Sequence, residues 1–176
     1  MKGKVIINGQ EIEIEINEEQ LEQLKVKKKT GYERVDENEV YCIVNSDSTI
    51  SFVEEDSVEY DVKQYNTANY YSDCAVAENN ARADQLMRQL RRFAVENRKE
   101  EITWGAYTPS KYFIRFDYEK LEFSTGHCFY FIYPGIVYFD SEETVQAAIK
   151  QFKDELIWYF TEYKDSLWGT AWHRKN

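Results

Sequence analysis

The chain opens with an alternation of hydrophobic and polar positions that predicts a β-hairpin. Aliphatic residues at 5–7 and isoleucines at 12, 14 and 16 flank Asn8-Gly9, a pair that favours a tight turn because both of its residues must adopt positive φ. Glutamates alternate with the isoleucines on the second strand, at Glu11, Glu13 and Glu15. We therefore expect one face of this strand to be aliphatic and the other to be a row of carboxylates.

A short helix and a hinge are predicted after the hairpin. Asn17, with Gln20 three residues later, is typical of a helix N-terminus. The lysine-rich segment that ends in Thr30-Gly31 is typical of a hinge. The resulting domain prediction is a hairpin-helix arm at residues 1–30, a core domain at 31–166 and an aromatic, basic tail at 167–176.

The first part of the predicted core is a second hairpin followed by a long helix. Residues 39–44 and 49–53 have the composition of strands, and the polar residues between them are typical of a turn. Apolar residues then recur at helical spacing. Asp73 is placed to cap this helix, which we expect to end near Asn97.

The second part of the core predicts more strands and a last helix. Strand patterns return over residues 112–116, within 121–132 and at 136–139, which predicts an antiparallel meander. Asp140 with Glu143 resembles a capping box and precedes a long apolar stripe. The expected fold class is α+β: an N-terminal hairpin and short helix, then a mainly antiparallel sheet packed by two long helices.

Negative charge is concentrated in the first third of the chain. Residues 1–61 contain sixteen acidic and seven basic residues, whereas residues 62–176 contain sixteen and fifteen. An acidic field repels phosphate backbones and attracts basic surfaces. A basic protein surface is therefore the expected partner, although acidic residues also serve solubility alone.

Composition also sets the expected compartment. No apolar run is long enough to span a membrane, and the N-terminus lacks the core of a signal peptide. Three cysteines, Cys42, Cys74 and Cys128, are widely spaced and odd in number, which argues against a disulfide framework. We expect a cytoplasmic protein, in the host cell cytoplasm if a phage encodes it, with no membrane partner.

Enzyme motifs are scarce. His127 and Cys128 are adjacent, so on a strand they would point to opposite faces, with Cys128 in the core and His127 at the surface. No metal site and no cofactor are predicted, because zinc-ligand spacings, nucleophile elbows and glycine-rich phosphate loops do not occur. Carboxylates beside lysines could hold Mg²⁺ in a nuclease. The catalytic candidates of that kind are Asp61, Lys63, Asp117 and Glu119.

Two further groups of residues allow two interpretations each. Arg88, Arg91 and Arg92 lie on the exposed side of the long helix, where they either contact RNA or phosphate or pair with neighbouring acids. Tyr70 and Tyr71 lie in a predicted loop, where tyrosines either anchor an interface or close a small core. The sequence leaves both choices open.

Five segments resemble a known family. They are residues 66–71 (NTANYY), 79–84 (NNARAD), 86–94 (LMRQLRRFA), 138–143 (YFDSEE) and 154–160 (DELIWYF). Together they resemble a family of small proteins carried by phages and mobile elements of Gram-positive bacteria that includes type II anti-CRISPR proteins. The resemblance covers residues 32–165. It implies an inhibitor that binds a type II RNA-guided nuclease, with or without its guide RNA.

Three functional hypotheses follow. The first is an anti-CRISPR inhibitor that docks through acidic and aromatic residues: Glu11, Glu13, Glu15, Glu18, Glu19, Glu54, Glu55, Asp56, Glu59, Tyr70 and Tyr71. The second is a nuclease, or a factor that assists one, which causes guide RNA to be cut. The third is a phage structural or assembly protein, and a homodimer is compatible with its helix faces.

Overall fold

The computed structural model describes residues 2–7, 10–15, 17, 29–104 and 110–163. The predicted Asn8-Gly9 turn, the helix after Asn17, most of the hinge and the tail at 167–176 lie outside these residues. Within them the fold is α+β, as the sequence predicts. Three antiparallel pairs of strands are present among the described residues.

The strands pair with their neighbours along the chain. β1 (Lys2–Ile7) pairs with β2 (Gln10–Glu15), β3 (Val40–Val44) with β4 (Ile50–Glu54), and β5 (Lys111–Asp117) with β6 (Glu122–Cys128). All six fall where the sequence pattern predicts strands or extend the predicted strand by at most three residues. Connections of a few residues explain this arrangement, because short connections join antiparallel neighbours.

Four α-helices lie among the described residues. They are α1 (Glu59–Asn66), α2 (Cys74–Asn97), α3 (Glu142–Gln151) and α4 (Lys153–Trp158), and a π-helical turn, Tyr159–Tyr163, follows α4. The long helix α2 confirms the predicted one and ends at Asn97 as expected. The sequence predicts no helix between the second hairpin and the long helix, so α1 is a finding of the structure.

The chain divides into two compact units. Unit 1 comprises Met1–Ile43 and Phe52–Cys74, and unit 2 comprises Val44–Ser51 and Ala75–Asn176. The core of unit 1 contains Tyr41, Ile43 and Tyr70, with the Tyr41 and Tyr70 rings stacked at 3.8 Å between centroids. It is small, and polar contacts supplement it.

Unit 2 has the larger hydrophobic core. Leu86, Leu90 and Phe93 bury one face of α2, where they pack with Phe139 and with Val145 of α3. Each fully buried side chain of this size contributes roughly 1.5–3 kcal/mol to folding. This packing holds the rest of α2 in place and leaves its opposite side in solvent.

Two elements of unit 2 differ from the prediction. The segment 136–139 forms a single antiparallel bridge, Tyr112 with Phe139, instead of a strand. The last helix is interrupted at Phe152, whose backbone leaves helical geometry at φ −108° and ψ 21°. Its ring packs edge-on against Phe93 at 5.7 Å between centroids, so the apolar stripe continues in the sequence although the helix stops. Ser141 and not Asp140 caps α3, by accepting from the Thr144 N–H.

Candidate functional site

The N-terminal hairpin carries its glutamates on an exposed strand. Glu11, Glu13 and Glu15 are all exposed on β2. The register places Lys4 opposite Glu13 and Lys2 opposite Glu15, and Lys4 Nζ lies 2.9 Å from Glu11 Oε1. The register therefore sets two lysines of β1 opposite glutamates of β2, so the net charge of the hairpin is smaller than its glutamates alone indicate. Glu18 and Glu19 lie outside the described residues.

A second acidic group surrounds the start of α1. Glu54, Asp56 and Glu59 are exposed, and Glu59 lies in the first turn of the helix. Carboxylates are favoured there because the N-terminus of a helix carries partial positive charge. Exposure leaves these three side chains accessible to a partner.

Glu55, which the sequence groups with these docking residues, lies inside unit 1 at 1% exposure. Its carboxylate accepts two hydrogen bonds from Arg34, at 2.7 and 3.0 Å, one from the Tyr70 hydroxyl at 2.8 Å and one from the Ser57 N–H at 2.9 Å. Arg34, helped by Tyr70 and Ser57, lowers the pKa of Glu55 to about 2 despite its burial. Because all of these donors belong to the fold, we do not include Glu55 in a docking surface.

Asp61 is buried in the same way, at 1% exposure. It accepts the Tyr41 hydroxyl at 2.7 Å and the backbone N–H groups of Asp56 and Val58 at 3.2 and 3.1 Å. Its carboxylate thereby closes the N-terminus of α1, where Val58 offers no side-chain cap. Burial and the hydrogen bond to Asp61 raise the pKa of the Tyr41 hydroxyl. This geometry makes Asp61 a structural residue.

Tyr70 and Tyr71 are buried, as expected if they close a small core and do not anchor an interface. Their exposed fractions are 1% and 7%. Burial and the bond to Glu55 raise the pKa of Tyr70 to about 12, and its hydroxyl oxygen also accepts the Val35 N–H at 3.2 Å. Neither ring is available as an anchor in this conformation.

The remaining nuclease candidates belong to two different units of the chain. Lys63 is exposed on α1 in unit 1. Asp117 is the last residue of β5 and Glu119 lies in the turn that follows, in unit 2. The Asp117 carboxylate accepts the Glu119 and Lys120 N–H groups at 2.9 and 3.1 Å. The hydrogen bonds from these N–H groups, of which the one from Lys120 has the larger effect, hold the pKa of Asp117 below its usual range. Among the described residues, no three histidines, cysteines or acids stand close enough to hold a metal ion.

The structure contains a disulfide, although the spacing and the odd number of the cysteines argue against a disulfide framework. Cys42 and Cys74 are joined by a disulfide, with 5.4 Å between their Cα atoms. The sequence separation of 32 residues hides this proximity, which arises because Cys42 exchanges backbone hydrogen bonds with Tyr71. Cys128 is a free, buried thiol and its neighbour His127 is exposed, as predicted.

The arginines of α2 occupy two different environments. Arg88 and Arg92 line an open cleft of about 390 Å³ in unit 2, together with Gln85, Gln89 and the turn 46–48. Arg91 is exposed and does not line this cleft. The cleft brings two guanidinium groups, two side-chain amides and two hydroxyl groups together, and the sequence alone does not show the turn that completes it.

An exposed aromatic segment follows β6. Phe129, Tyr130, Phe131, Ile132 and Tyr133 are between 44% and 68% exposed. Contiguous apolar surface of this kind is typical of an interaction site. The sequence predicts a strand within residues 121–132, where β6 lies, but does not single out the segment that follows it. The feature that marks this segment in the sequence is that residues 129–138 contain no charged residue.

Comparisons with known proteins identify no relative from which a function could be inferred. No protein-family model, no curated protein and no solved structure matches this chain. Among the described residues, no helix combines the length and the apolar content needed to cross a bilayer.

Proposed function

We propose that this protein acts by binding another macromolecule, with the exposed acidic residues of unit 1 docking onto a basic surface of the partner. One observation carries the proposal. Unit 1 contains sixteen acidic and eight basic residues, whereas unit 2 contains sixteen and fourteen. Charge of one sign on one compact unit attracts a surface of the opposite sign and speeds association with it.

Within unit 1 the acids have separate tasks. Glu55 and Asp61 accept hydrogen bonds inside the fold, so they support the surface without belonging to it. Glu54, Asp56 and Glu59 remain exposed beside them. These three, and the hairpin row Glu11, Glu13 and Glu15, form the docking surface of the proposal.

The partner we propose is a type II RNA-guided nuclease in the host cytoplasm, bound with or without its guide RNA. The resemblance of residues 32–165 to phage proteins that include anti-CRISPR inhibitors is the argument for this partner. The charge of unit 1 is compatible with it, because such effectors hold their nucleic acids in positively charged channels. Docking there would exclude nucleic acid and inhibit the nuclease.

Co-purification of the full chain with a type II effector tests the proposal. The variant E54Q/D56N/E59Q removes three exposed charges of unit 1. The matched control E78Q/D84N/E119Q removes three exposed charges of unit 2. At low salt we expect the first variant to bind at least about tenfold more weakly and the control to stay within about twofold, because only the first removes charge that faces the partner.

Equal affinity of both variants and the wild type would sink the acidic docking model. E11Q/E13Q/E15Q, measured in parallel, tells whether the hairpin row contributes separately. Guide RNA recovered from the same samples after incubation with Mg²⁺ separates docking, which leaves the RNA intact, from the nuclease hypothesis, which requires it to be cut.

The exposed aromatic segment favours a second proposed partner, another copy of the same chain. The chain carries a net charge of −10, yet residues 129–138 contain no charged residue. Two copies can therefore approach through this segment with the least repulsion. Light scattering on the wild type and on Y130S/F131S tests the dimer, which only the wild type should form. A dimer that fails to bind the effector would favour the phage assembly hypothesis.

A further inference from the structure

We propose that the cleft between α2 and the β3–β4 turn is a binding site for the phosphate group of a nucleotide or oligonucleotide. Four polar residues of α2 line one wall, and Ser46, Asp47 and Ser48 of the turn line the other. All of them belong to unit 2. The inference stands independently of the acidic docking surface, which belongs to unit 1.

Helical spacing explains why the wall is a row of donors. Gln85, Arg88, Gln89 and Arg92 stand at i, i+3, i+4 and i+7, so they follow one stripe of the helix. Leu86 and Leu90 bury the opposite face in the core. The donors are therefore mounted on a fixed element, which favours a site with a defined geometry.

The turn adds hydroxyl groups and fixes one guanidinium. Arg88 Nη2 donates a hydrogen bond to Ser48 Oγ. Asp47, the carboxylate that lines the cleft, accepts the Thr49 N–H at 3.0 Å and the Thr49 hydroxyl at 2.7 Å. Both of these hydrogen bonds go to Oδ1, and among the described residues Asp47 forms no salt bridge with Arg88 or Arg92.

The positive charges of Arg88 and Arg92 favour the binding of an anion between them. Like charges at i and i+4 on a helix repel each other. Arg92 has Glu96 at 3.9 Å, and both side chains are largely exposed, 72% and 65%, which makes this a loose pair. A tetrahedral oxyanion between Arg88 and Arg92 would relieve the repulsion and accept from both.

Phosphate is the anion whose shape suits these donors. Guanidinium groups bind phosphate oxygens through paired N–H bonds, and serine hydroxyls and glutamine amides supply further donors. The volume of about 390 Å³ is in the range of pockets that hold small organic ligands. A mononucleotide therefore fits as well as free phosphate, and a nucleotide at the end of a longer strand offers the same group.

The test is calorimetric titration of the full chain, in a phosphate-free buffer of low ionic strength, with inorganic phosphate, AMP and adenosine as probes. We expect saturable one-site binding of phosphate and AMP and none of adenosine. AMP binding at least about tenfold tighter than phosphate would assign the ribose or base to the cleft as well, whereas equal affinities would assign the phosphate group alone.

Variants locate the site. R88Q and R92Q should each weaken AMP binding by about tenfold or more, while R91Q, which removes the same charge from the same helix outside the cleft, should change it by less than about twofold. R88K keeps the charge without the planar fork, so its affinity should lie between those of R88Q and the wild type. Circular dichroism confirms that each variant is folded.

The proposal fails if neither phosphate nor AMP binds saturably, or if adenosine binds as tightly as AMP. It also fails if R91Q weakens binding as much as R88Q, because the interaction would then follow the general charge of the helix. S48A provides an independent check: loss of its hydroxyl should weaken AMP binding without changing the charge of the protein.

Discussion

Glu55 shows how one carboxylate organises the small core of unit 1. It accepts from Arg34, Tyr70 and Ser57, three residues that belong to different segments of the chain. A buried charge is tolerated only when its hydrogen-bonding capacity is satisfied in this way. The side chain therefore reports directly on the integrity of unit 1.

We expect E55Q to lower the free energy of unfolding by about 2 kcal/mol, because an amide keeps the shape but removes the charge that Arg34 pairs with. Urea denaturation monitored by circular dichroism measures the change. E54Q alters the exposed neighbour in sequence and should have no measurable effect. Equal stability of E55Q and E54Q would contradict the structural role of Glu55.

The pKa of Glu55 also predicts how stability depends on pH. Its folded value of about 2 lies below the ordinary value of 4.5, so the ionised carboxylate stabilises the folded state above pH 4.5. This contribution is lost as the pH falls from about 4.5 to 2. Glu33, whose pKa is also lowered to about 2 by hydrogen bonds from Thr30, acts in the same window.

Thermal unfolding between pH 6 and pH 2 tests this dependence. The melting temperature of the wild type should fall on acidification below about pH 5. The fall should be shallower in E55Q, since that variant has already lost the titrating group. Parallel curves for the two proteins would exclude Glu55 as a source of the acid sensitivity.

At the scale of elements, the Cys42–Cys74 disulfide joins β3 to the first residue of α2. Closing a loop of this length restricts the unfolded chain and stabilises the fold by roughly 3–4 kcal/mol. We expect a reducing agent to lower the free energy of unfolding of the wild type by an amount of this order. Urea titrations with and without the reductant measure it.

A double variant is the control for the disulfide. C42S/C74S should unfold at about the same urea concentration as the reduced wild type and should not respond to the reductant. The comparison bears on the compartment, because a cytoplasm keeps most thiols reduced. A reduced protein that remains folded at 37 °C is compatible with the proposed cytoplasmic role.

The sequence predicted those elements that local patterns determine. Alternation marked the strands, and helical spacing marked α2 up to Asn97. The helix α1 was missed because its apolar residues, Tyr60, Val62 and Tyr65, are all exposed and form no buried stripe. The interruption at Phe152 was missed because the side chains on either side of it contact the same core.

The candidate sites were predictable only in part, for a related reason. Composition located the acids but not which of them are buried, since burial of Glu55 depends on Arg34, 21 positions away. The arginine row was visible as a pattern on one helix. The cleft was not, because its second wall is a turn 40 positions earlier in the chain.

At the scale of the whole molecule, the charge difference between the units predicts a dependence on salt. Charges more than about 10 Å apart are screened at 0.1 M ionic strength. We expect the association rate with the guide-free effector to fall by about tenfold or more between 50 and 500 mM salt, with a smaller change in the dissociation rate. Surface plasmon resonance measures both rates.

The expected pattern is specific to electrostatic attraction. E54Q/D56N/E59Q should show a shallower salt dependence than the wild type, and E78Q/D84N/E119Q should match the wild type. Association that is insensitive to salt, or a dependence shared by both variants, would indicate that the partner does not recognise the charge of unit 1.

The pairing of each strand with the next one along the chain has a kinetic consequence. In the sequence, the paired strands that the structure describes are separated by two, five and four residues. Closing such short loops costs little entropy, so hairpins of this kind form within microseconds. The slower steps are then the joining of Cys42 to Tyr71 and of Tyr112 to Phe139. During synthesis on the ribosome, each hairpin can therefore form before the later segment that pairs with it has been translated.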